Sequence, residues 1–151
     1  MSTDYGVKKM FTDKRLTEAY KKARVEEFDE NSKYIFFSDS HRGNGNISDE
    51  FTRNRNIFLH ALKYYYKHGY TYVEAGDGDE LLEYSDFTYT KNAHNEVFDI
   101  IKKFFDDNRL IKLYGNHDIA LKNPKFVEKN YYTNYDEYTE EFFDFLKGLQ
   151  P

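Results

Sequence analysis

Three short apolar runs alternate with helical patterns along this chain, and the alternation constrains its fold more than any other feature. The runs cover residues 34–37, 70–75 and 110–114, and each ends at a group of polar side chains. Runs of this length and composition are typical of buried strands. The order strand, helix, strand, helix, strand predicts two right-handed β-α-β units and hence a parallel sheet with flanking helices. We therefore expect an α/β fold.

Four helices are predicted around these strands from apolar residues that repeat at helical spacing. The first three cover about residues 13–28, 48–68 and 93–107, and the last carries Tyr138 and Phe142 and ends near Lys147. Ser48 is the predicted N-cap of the second helix, and Gly69 is placed to act as its left-handed C-terminal cap. Pro124 is expected to stop any short helix after the third strand.

The composition excludes several classes of site. The chain has 151 residues, the size of a single domain, and contains no Cys, so disulfides, thiolate catalysis and Cys-ligated zinc are excluded. No segment reaches the ~18 to 20 consecutive apolar residues of a membrane span, and the N-terminus lacks the apolar stretch of a secretory signal. We therefore expect a cytoplasmic protein without membrane contact. The net charge of −5 disfavours a broad nucleic-acid surface but not a phosphorylated substrate bound through metal ions.

Polar clusters follow all three strands, at the edge where parallel sheets bind ligands. They contain Asp39 and His41, then Asp77, then Asn116 and His117, with separations of 38 positions from Asp39 to Asp77 and 39 from Asp77 to Asn116. If the strands are neighbours, carboxylates, an amide and imidazoles converge there. This mixture suits Mn, Fe, Zn or Mg. A central carboxylate such as Asp77 can bridge two ions ~3.5 to 4 Å apart.

Each cluster taken alone is common in ordinary turns, because Gly-Asp and Gly-Asn pairs often do no more than end a strand. Their appearance in order, each directly after a predicted strand, favours one shared site over three unrelated turns.

The three clusters resemble the first three motifs of the calcineurin-like metallophosphoesterase superfamily. That pattern runs Asp-x-His, then Gly-Asp-x-x-Asp or Glu, then Gly-Asn-His-Asp or Glu. The chain reads Asp-Ser-His at 39–41, Gly-Asp-Gly-Asp-Glu at 76–80 and Gly-Asn-His-Asp at 115–118. The resemblance covers about residues 34–118. It implies a hydrolase of phosphate mono- or diesters with two divalent metal ions, in which the predicted sheet is half of an αββα sandwich.

The resemblance also implies which residues hold the metals. Asp39 and His41 would bind the first ion, Asp77 would bridge both, and Asn116 would bind the second. A metal-bound hydroxide would then attack phosphorus in line.

Catalytic and substrate-binding roles are implied for the neighbouring residues. His117 would protonate the leaving oxygen, steadied by Asp118, and Asn116 and His117 would contact the phosphorylated substrate. Arg42 follows His41 directly, and its planar guanidinium suits phosphate oxygens; an ordinary surface ion pair is the alternative for Arg42.

The chain departs from the family pattern after the third motif. The family continues with a further His and with Gly-His-x-His, whereas the 33 residues after Asp118 contain no His. We therefore expect residues 1–151 to be one truncated domain, completed by a missing C-terminal half or by a second chain. We expect such a chain alone to be a poor hydrolase, and the alternative function is a non-catalytic interaction module with the same fold.

Several other polar residues have competing interpretations. His94 is interpreted as structural, although a position over the metals is open to it. Asp79 and Glu80 are expected to accept hydrogen bonds from the ligands without touching metal. Glu74, a charge within a predicted strand, has no explanation from the sequence. Tyr residues at 131, 132, 135 and 138 are expected to pack against a missing layer.

Overall fold

The structure, a computed structural model, describes residues 3–127 and 129–130. The helices and strands, in chain order, are α1 (Thr3–Lys22), β1 (Tyr34–Phe37), α2 (Phe51–Lys67), β2 (Thr71–Ala75), α3 (Phe87–Ala93), α4 (Asn95–Asp106), β3 (Leu110–Leu113), a 3₁₀ helix (Ile119–Lys122) and α5 (Pro124–Val127). The predicted last helix and the Tyr cluster lie outside the described residues.

The three strands form one parallel sheet in the order β1-β2-β3. Tyr34 is opposite Thr71 in the first pair, and Tyr72 is opposite Leu110 in the second. This confirms the predicted α/β fold with a parallel sheet and flanking helices. Since all three strands point the same way, the loops that follow them lie together at one edge of the sheet.

The predicted bounds of the first helix are wrong. α1 covers Thr3–Lys22 rather than residues 13–28, and its side chains from residue 13 onward are exposed. The helix predicted over residues 93–107 is α4, within two residues at its start and one at its end, whereas the short helix α3 that precedes it and ends at Ala93 was not predicted.

At the ends of α2, Gly69 has the predicted left-handed backbone (φ 77°), but the start of the helix differs from the prediction. Ser48 is not an N-cap, because the side chain of Asn46 accepts the backbone N–H of Ser48 (2.8 Å) and forms a turn there. Helix α2 therefore starts at Phe51, whose N–H is accepted by Asp49 Oδ1 (3.1 Å).

The short 3₁₀ helix after β3 ends at Lys122, just ahead of Pro124 as predicted. Pro124 also begins α5, which its fixed φ and missing N–H allow in a first turn.

Helices α2 and α4 cover one face of the sheet. The core between them consists of aromatic and aliphatic side chains: Phe51, Leu59, Leu62, Tyr72, Val97, Ile100, Ile101, Phe104 and Leu110. Burial of such side chains contributes roughly 1.5–3 kcal/mol each before the entropy cost of ordering the chain. On the opposite face Phe36 is 63% exposed and Leu113 is 46% exposed.

A second apolar cluster supports the loops at the carboxyl edge of the sheet. It contains Leu81, Phe87, Phe98, Leu121 and Val127, so it joins the segments that follow β2 and β3 to helices α3, α4 and α5. Within residues 3–127 and 129–130, none of the helices has the length and apolar character required to cross a bilayer.

Candidate metal centre

The first two polar clusters are held side by side by backbone hydrogen bonds. Asp39 N–H donates to the carbonyl of Gly76 (3.2 Å), and His41 N–H donates to the carbonyl of Asp77 (2.9 Å). The pairing of β1 with β2 thus continues beyond the strands themselves. This places the side chains that follow the two strands next to one another.

Three of the candidate ligands have left-handed backbones. The φ angles are 55° at Asp39, 46° at His41 and 50° at Asp77, a region that residues other than Gly seldom occupy. Such conformations persist only where the surrounding contacts enforce them, and they are frequent at functional sites. Gly115 adds a steric requirement, because a Cβ at that position would collide with the Asp77 carboxylate.

The structure brings Asp39, His41 and Asp77 together. One ligand atom from each lies within 4.8 Å of the others, and Asp39 Oδ1 is 3.8 Å from His41 Nε2. The carboxylates of Asp39 and Asp77 are therefore close enough to share an ion. Asn116 lies in the loop after β3, directly before His117, with its side chain exposed.

His117 is held by two acidic residues of the β2 loop. Its backbone N–H donates to Asp77 Oδ1 (2.7 Å), and its Nδ1 lies 2.7 Å from Glu80 Oε2. The same Glu80 oxygen is 2.9 Å from His41 Nδ1. The hydrogen bond to Glu80 raises the pKa of His117. Glu80 is buried, which opposes ionisation, yet the hydrogen bonds from His117 and His41 keep its pKa below the usual value.

Asp118 acts on His117 through its charge, which helps to raise the pKa of that ring, and not through a hydrogen bond, so the prediction is corrected. Its carboxylate instead accepts the backbone N–H groups of Gly115 (2.6 Å) and Gly78 (3.0 Å), which ties the β3 loop to the β2 loop. Burial raises the pKa of Asp118. The carboxylate beside the His117 ring is that of Glu80, which was predicted to accept hydrogen bonds from metal ligands. Glu80 thus takes the place beside His117 that was predicted for Asp118.

Arg42 is buried with 0% exposure, so the prediction that it binds substrate is wrong. Its Nε donates to Asp79 Oδ1 (2.8 Å), and its two Nη atoms donate to the Glu74 carboxylate (2.6 and 2.9 Å). Three of its five N–H groups are therefore used in ion pairs within the protein. Asp79, predicted to accept hydrogen bonds from metal ligands, binds Arg42 instead.

Lys112 completes this group of charges and was not identified from the sequence. Its Nζ lies 2.5 Å from Glu74 Oε2 and 2.9 Å from Asp79 Oδ2. We call Arg42, Glu74, Asp79 and Lys112 the buried charge network. Although burial alone would raise the pKa of Glu74, the two cations lower it far below the usual value. The sequence contained a signal for this pair, because Glu74 and Lys112 are opposite charges within two predicted strands. They lie opposite each other in the register of β2 and β3.

His94 is buried and paired with Asp49, which favours its structural interpretation. It is 1% exposed, and its Nε2 lies 2.7 Å from Asp49 Oδ2. Burial lowers the pKa of His94 even though Asp49 opposes this shift.

A cavity of about 600 Å³ opens beside the candidate ligands. Its wall includes Asp39, His41, Asp49, Glu80 and Tyr84. The cavity therefore gives a small molecule access to the same carboxylate and imidazole groups that converge at the sheet edge.

The donor set fits a divalent cation. Because Glu80 accepts from Nδ1 of His41, the ring carries its proton there, and the lone pair of Nε2 faces Asp39. An imidazole nitrogen and two carboxylates are ligands that Mn²⁺, Fe²⁺ and Zn²⁺ accept.

Comparison of the chain with protein-family models, with curated proteins and with solved structures found no match. The functional assignment therefore depends on the residues and geometry described above.

Proposed function

We propose that this chain carries the metal-binding part of a dinuclear phosphoesterase, of the calcineurin-like kind that its motifs resemble. The observation that carries the proposal is the convergence of Asp39, His41 and Asp77 within 4.8 Å. They come from two separate strand ends, and each is the residue type that the motif requires at its position. Two ions, Mn, Fe, Zn or Mg, are the proposed cofactors.

In this proposal Asp39 and His41 hold the first ion, Asp77 bridges to the second, and Asn116 binds the second. Divalent ions at such a centre activate water and offset the charge that develops on a phosphate ester during hydrolysis. The phosphorylated substrate would enter through the cavity beside Asp39 and His41.

His117 is the proposed general acid. Glu80 fixes one ring nitrogen, so the other is free to present a proton to a leaving oxygen. The raised pKa of His117 suits this role, because it increases the protonated fraction near neutral pH.

Within residues 3–127 and 129–130, the proposed ligands do not fill the coordination of two ions. We propose that the remaining ligands come from a second chain or from a C-terminal half, together with the second sheet of the sandwich. The exposure of Phe36 and Leu113 on one face of the sheet favours such a covering layer. The same exposed face supports the alternative function, a non-catalytic module that binds another protein.

The test is Mn²⁺-dependent hydrolysis of p-nitrophenyl phosphate and bis-p-nitrophenyl phosphate by the purified chain. We expect turnover close to background, because the part of the chain that the structure describes supplies only some of the ligands that two ions need. Any turnover above background should require Mn²⁺ and should disappear in Asp77→Asn. The matched control is Asp99→Asn, which removes an exposed carboxylate of α4.

The outcomes separate the two candidate functions. Robust turnover abolished by Asp77→Asn would establish the enzyme and contradict the need for further ligands. Turnover that Asp77→Asn leaves unchanged would contradict the proposed site. Absence of both turnover and metal binding would favour the interaction module.

A further inference from the structure

The buried charge network lies next to the candidate metal centre but shares no residue with it. Arg42 directly follows His41, and Asp79 is two positions after Asp77. Glu74 and Lys112 are opposite each other on β2 and β3. In each of the loops after β1 and β2, a residue of the buried charge network therefore lies within two positions of a candidate metal ligand.

Backbone contacts connect the network to the ligands. Arg42 N–H donates to the carbonyl of Gly78 (3.0 Å), and Glu80 N–H donates to the carbonyl of Arg42 (3.0 Å). Arg42 and Asp79 form an isolated parallel bridge beyond the ends of the strands. The Nε of Arg42 also binds the Asp79 side chain, so backbone and side chain fix the same pair of residues.

The segment between this bridge and the strands contains the left-handed residues. Asp39 and His41 lie between β1 and Arg42, and Asp77 lies between β2 and Asp79. A left-handed backbone is unfavourable for Asp and His in isolation, so it needs fixed points on both sides. The strands are one fixed point, and the buried charge network is the other.

We propose that the buried charge network is the positioning element of the metal centre, and that Arg42 holds His41 and Asp77 in their ligand geometry without contacting substrate. This inference rests on the proposed function, because it assigns the network a role toward that metal site. The network contains two cations and two carboxylates, so its own charges balance. It therefore has no net positive charge to offset the carboxylates of the candidate metal ligands.

An arginine suits this role for a geometric reason. Its guanidinium donates in fixed directions, two bonds to Glu74 and one to Asp79, and so sets the angle between β2 and the loop after it. A lysine offers one charged nitrogen and cannot reproduce all three bonds. Apolar side chains of similar volume can match the stability of a buried ion pair but not this directionality.

The test compares Mn²⁺ affinity with stability in matched variants of the whole chain. Arg42→Met with Glu74→Gln removes one charge of each sign and leaves Lys112 paired with Asp79, so the double variant should stay folded. We expect Mn²⁺ affinity, measured by calorimetry, to fall 10- to 100-fold, the usual effect of losing a group that orients ligands. Unfolding in urea should change little. Arg42→Lys should give an intermediate affinity.

The control is Lys102→Met with Asp106→Leu, which removes an ion pair on the surface of α4 and should leave Mn²⁺ affinity unchanged. If Arg42→Met with Glu74→Gln is folded and binds Mn²⁺ like the wild type, the inference is wrong. If the double variant does not fold, Arg42→Lys alone decides, since unchanged affinity there would also contradict it. Failure of the wild-type chain to bind Mn²⁺ would instead contradict the proposed function.

Discussion

Two groups of charged side chains lie at the same edge of the sheet and differ in how their charges are satisfied. In the buried charge network each carboxylate meets both cations, and Arg42 and Glu74 are fully buried. In the candidate metal centre Asp39, Asp77 and Glu80 meet imidazole rings and backbone N–H groups. The first group is closed within the protein, and the second is short of positive charge.

The difference indicates what each group does. A network of paired charges fixes the backbone around it, and because its side chains are buried it presents no surface to a ligand. A cluster of carboxylates with an available imidazole nitrogen gains from a divalent cation. Proximity in the sequence does not decide the role, because Arg42 and His41 are neighbours and belong to different groups.

The largest effect on the free energy of unfolding is expected when the buried charge network loses one of its two cations. Lys112→Met leaves two carboxylates against Arg42 alone in a buried position. Removing one partner of a buried pair costs about 3–5 kcal/mol, so the free energy of unfolding in urea should fall by that amount. Lys112→Met combined with Glu74→Gln restores the balance and should recover most of the loss. A double variant as unstable as the single one would show that charge balance is not what matters there.

A change of pH is expected to alter the free energy of unfolding by a smaller amount, and in opposite directions at His94 and His117. Burial lowers the pKa of His94 below 6.5, and the hydrogen bond to Glu80 raises that of His117 above 6.5. The unfolded chain therefore binds a proton at His94 more readily, so this residue reduces stability as pH falls through 6.5. His117 contributes stability below 6.5 that is lost as pH rises through its folded pKa.

NMR titration of the two imidazole rings measures these shifts directly. Glu80→Gln should bring the pKa of His117 back toward 6.5 and leave that of His94 unchanged. A His94 ring that titrates above 6.5 would contradict the burial described for it.

The smallest effect is expected for an ion pair at the surface. Lys102 and Asp106 are one turn apart on α4, with Nζ 2.7 Å from Oδ2. Exposed pairs of this kind contribute about 0.3–0.5 kcal/mol, and salt screens them. Lys102→Met should therefore change the free energy of unfolding by no more than this in 0.15 M salt. A loss as large as that of Lys112→Met would remove the distinction between buried and exposed charge.

The sequence predicted the parts of this structure that depend on local pattern. Apolar runs gave the three strands, and the rule for parallel sheets gave the edge where Asp39 and Asp77 meet.

The turn before α2 was not predicted, because several neighbouring polar side chains are able to accept a backbone N–H there. In the structure Asn46 accepts that of Ser48, and Asp49 accepts that of Phe51. Helix α3 was also missed, and it ends where His94 contacts Asp49, a residue 45 positions away.

The role of Arg42 was also beyond the sequence. A guanidinium beside a motif His is equally suited to phosphate and to a buried carboxylate, and only tertiary register decides. Glu74 and Lys112 become partners once β2 and β3 are paired with Tyr72 opposite Leu110. Asp118 and Glu80 present the same difficulty, since Asp118 directly follows His117 in sequence, whereas the carboxylate beside its ring belongs to Glu80, 37 positions away.

Calorimetric titration of the chain with Mn²⁺ tests the central claim most directly, that the open group of side chains is a metal site. We expect the wild type to bind weakly at one site, Asp77→Asn to lose this binding, and Asp99→Asn to keep it. Asn can still accept the N–H of His117, so the substitution removes charge more than structure. Wild-type protein that binds no Mn²⁺, or Asp77→Asn protein that binds it unchanged, would contradict the account.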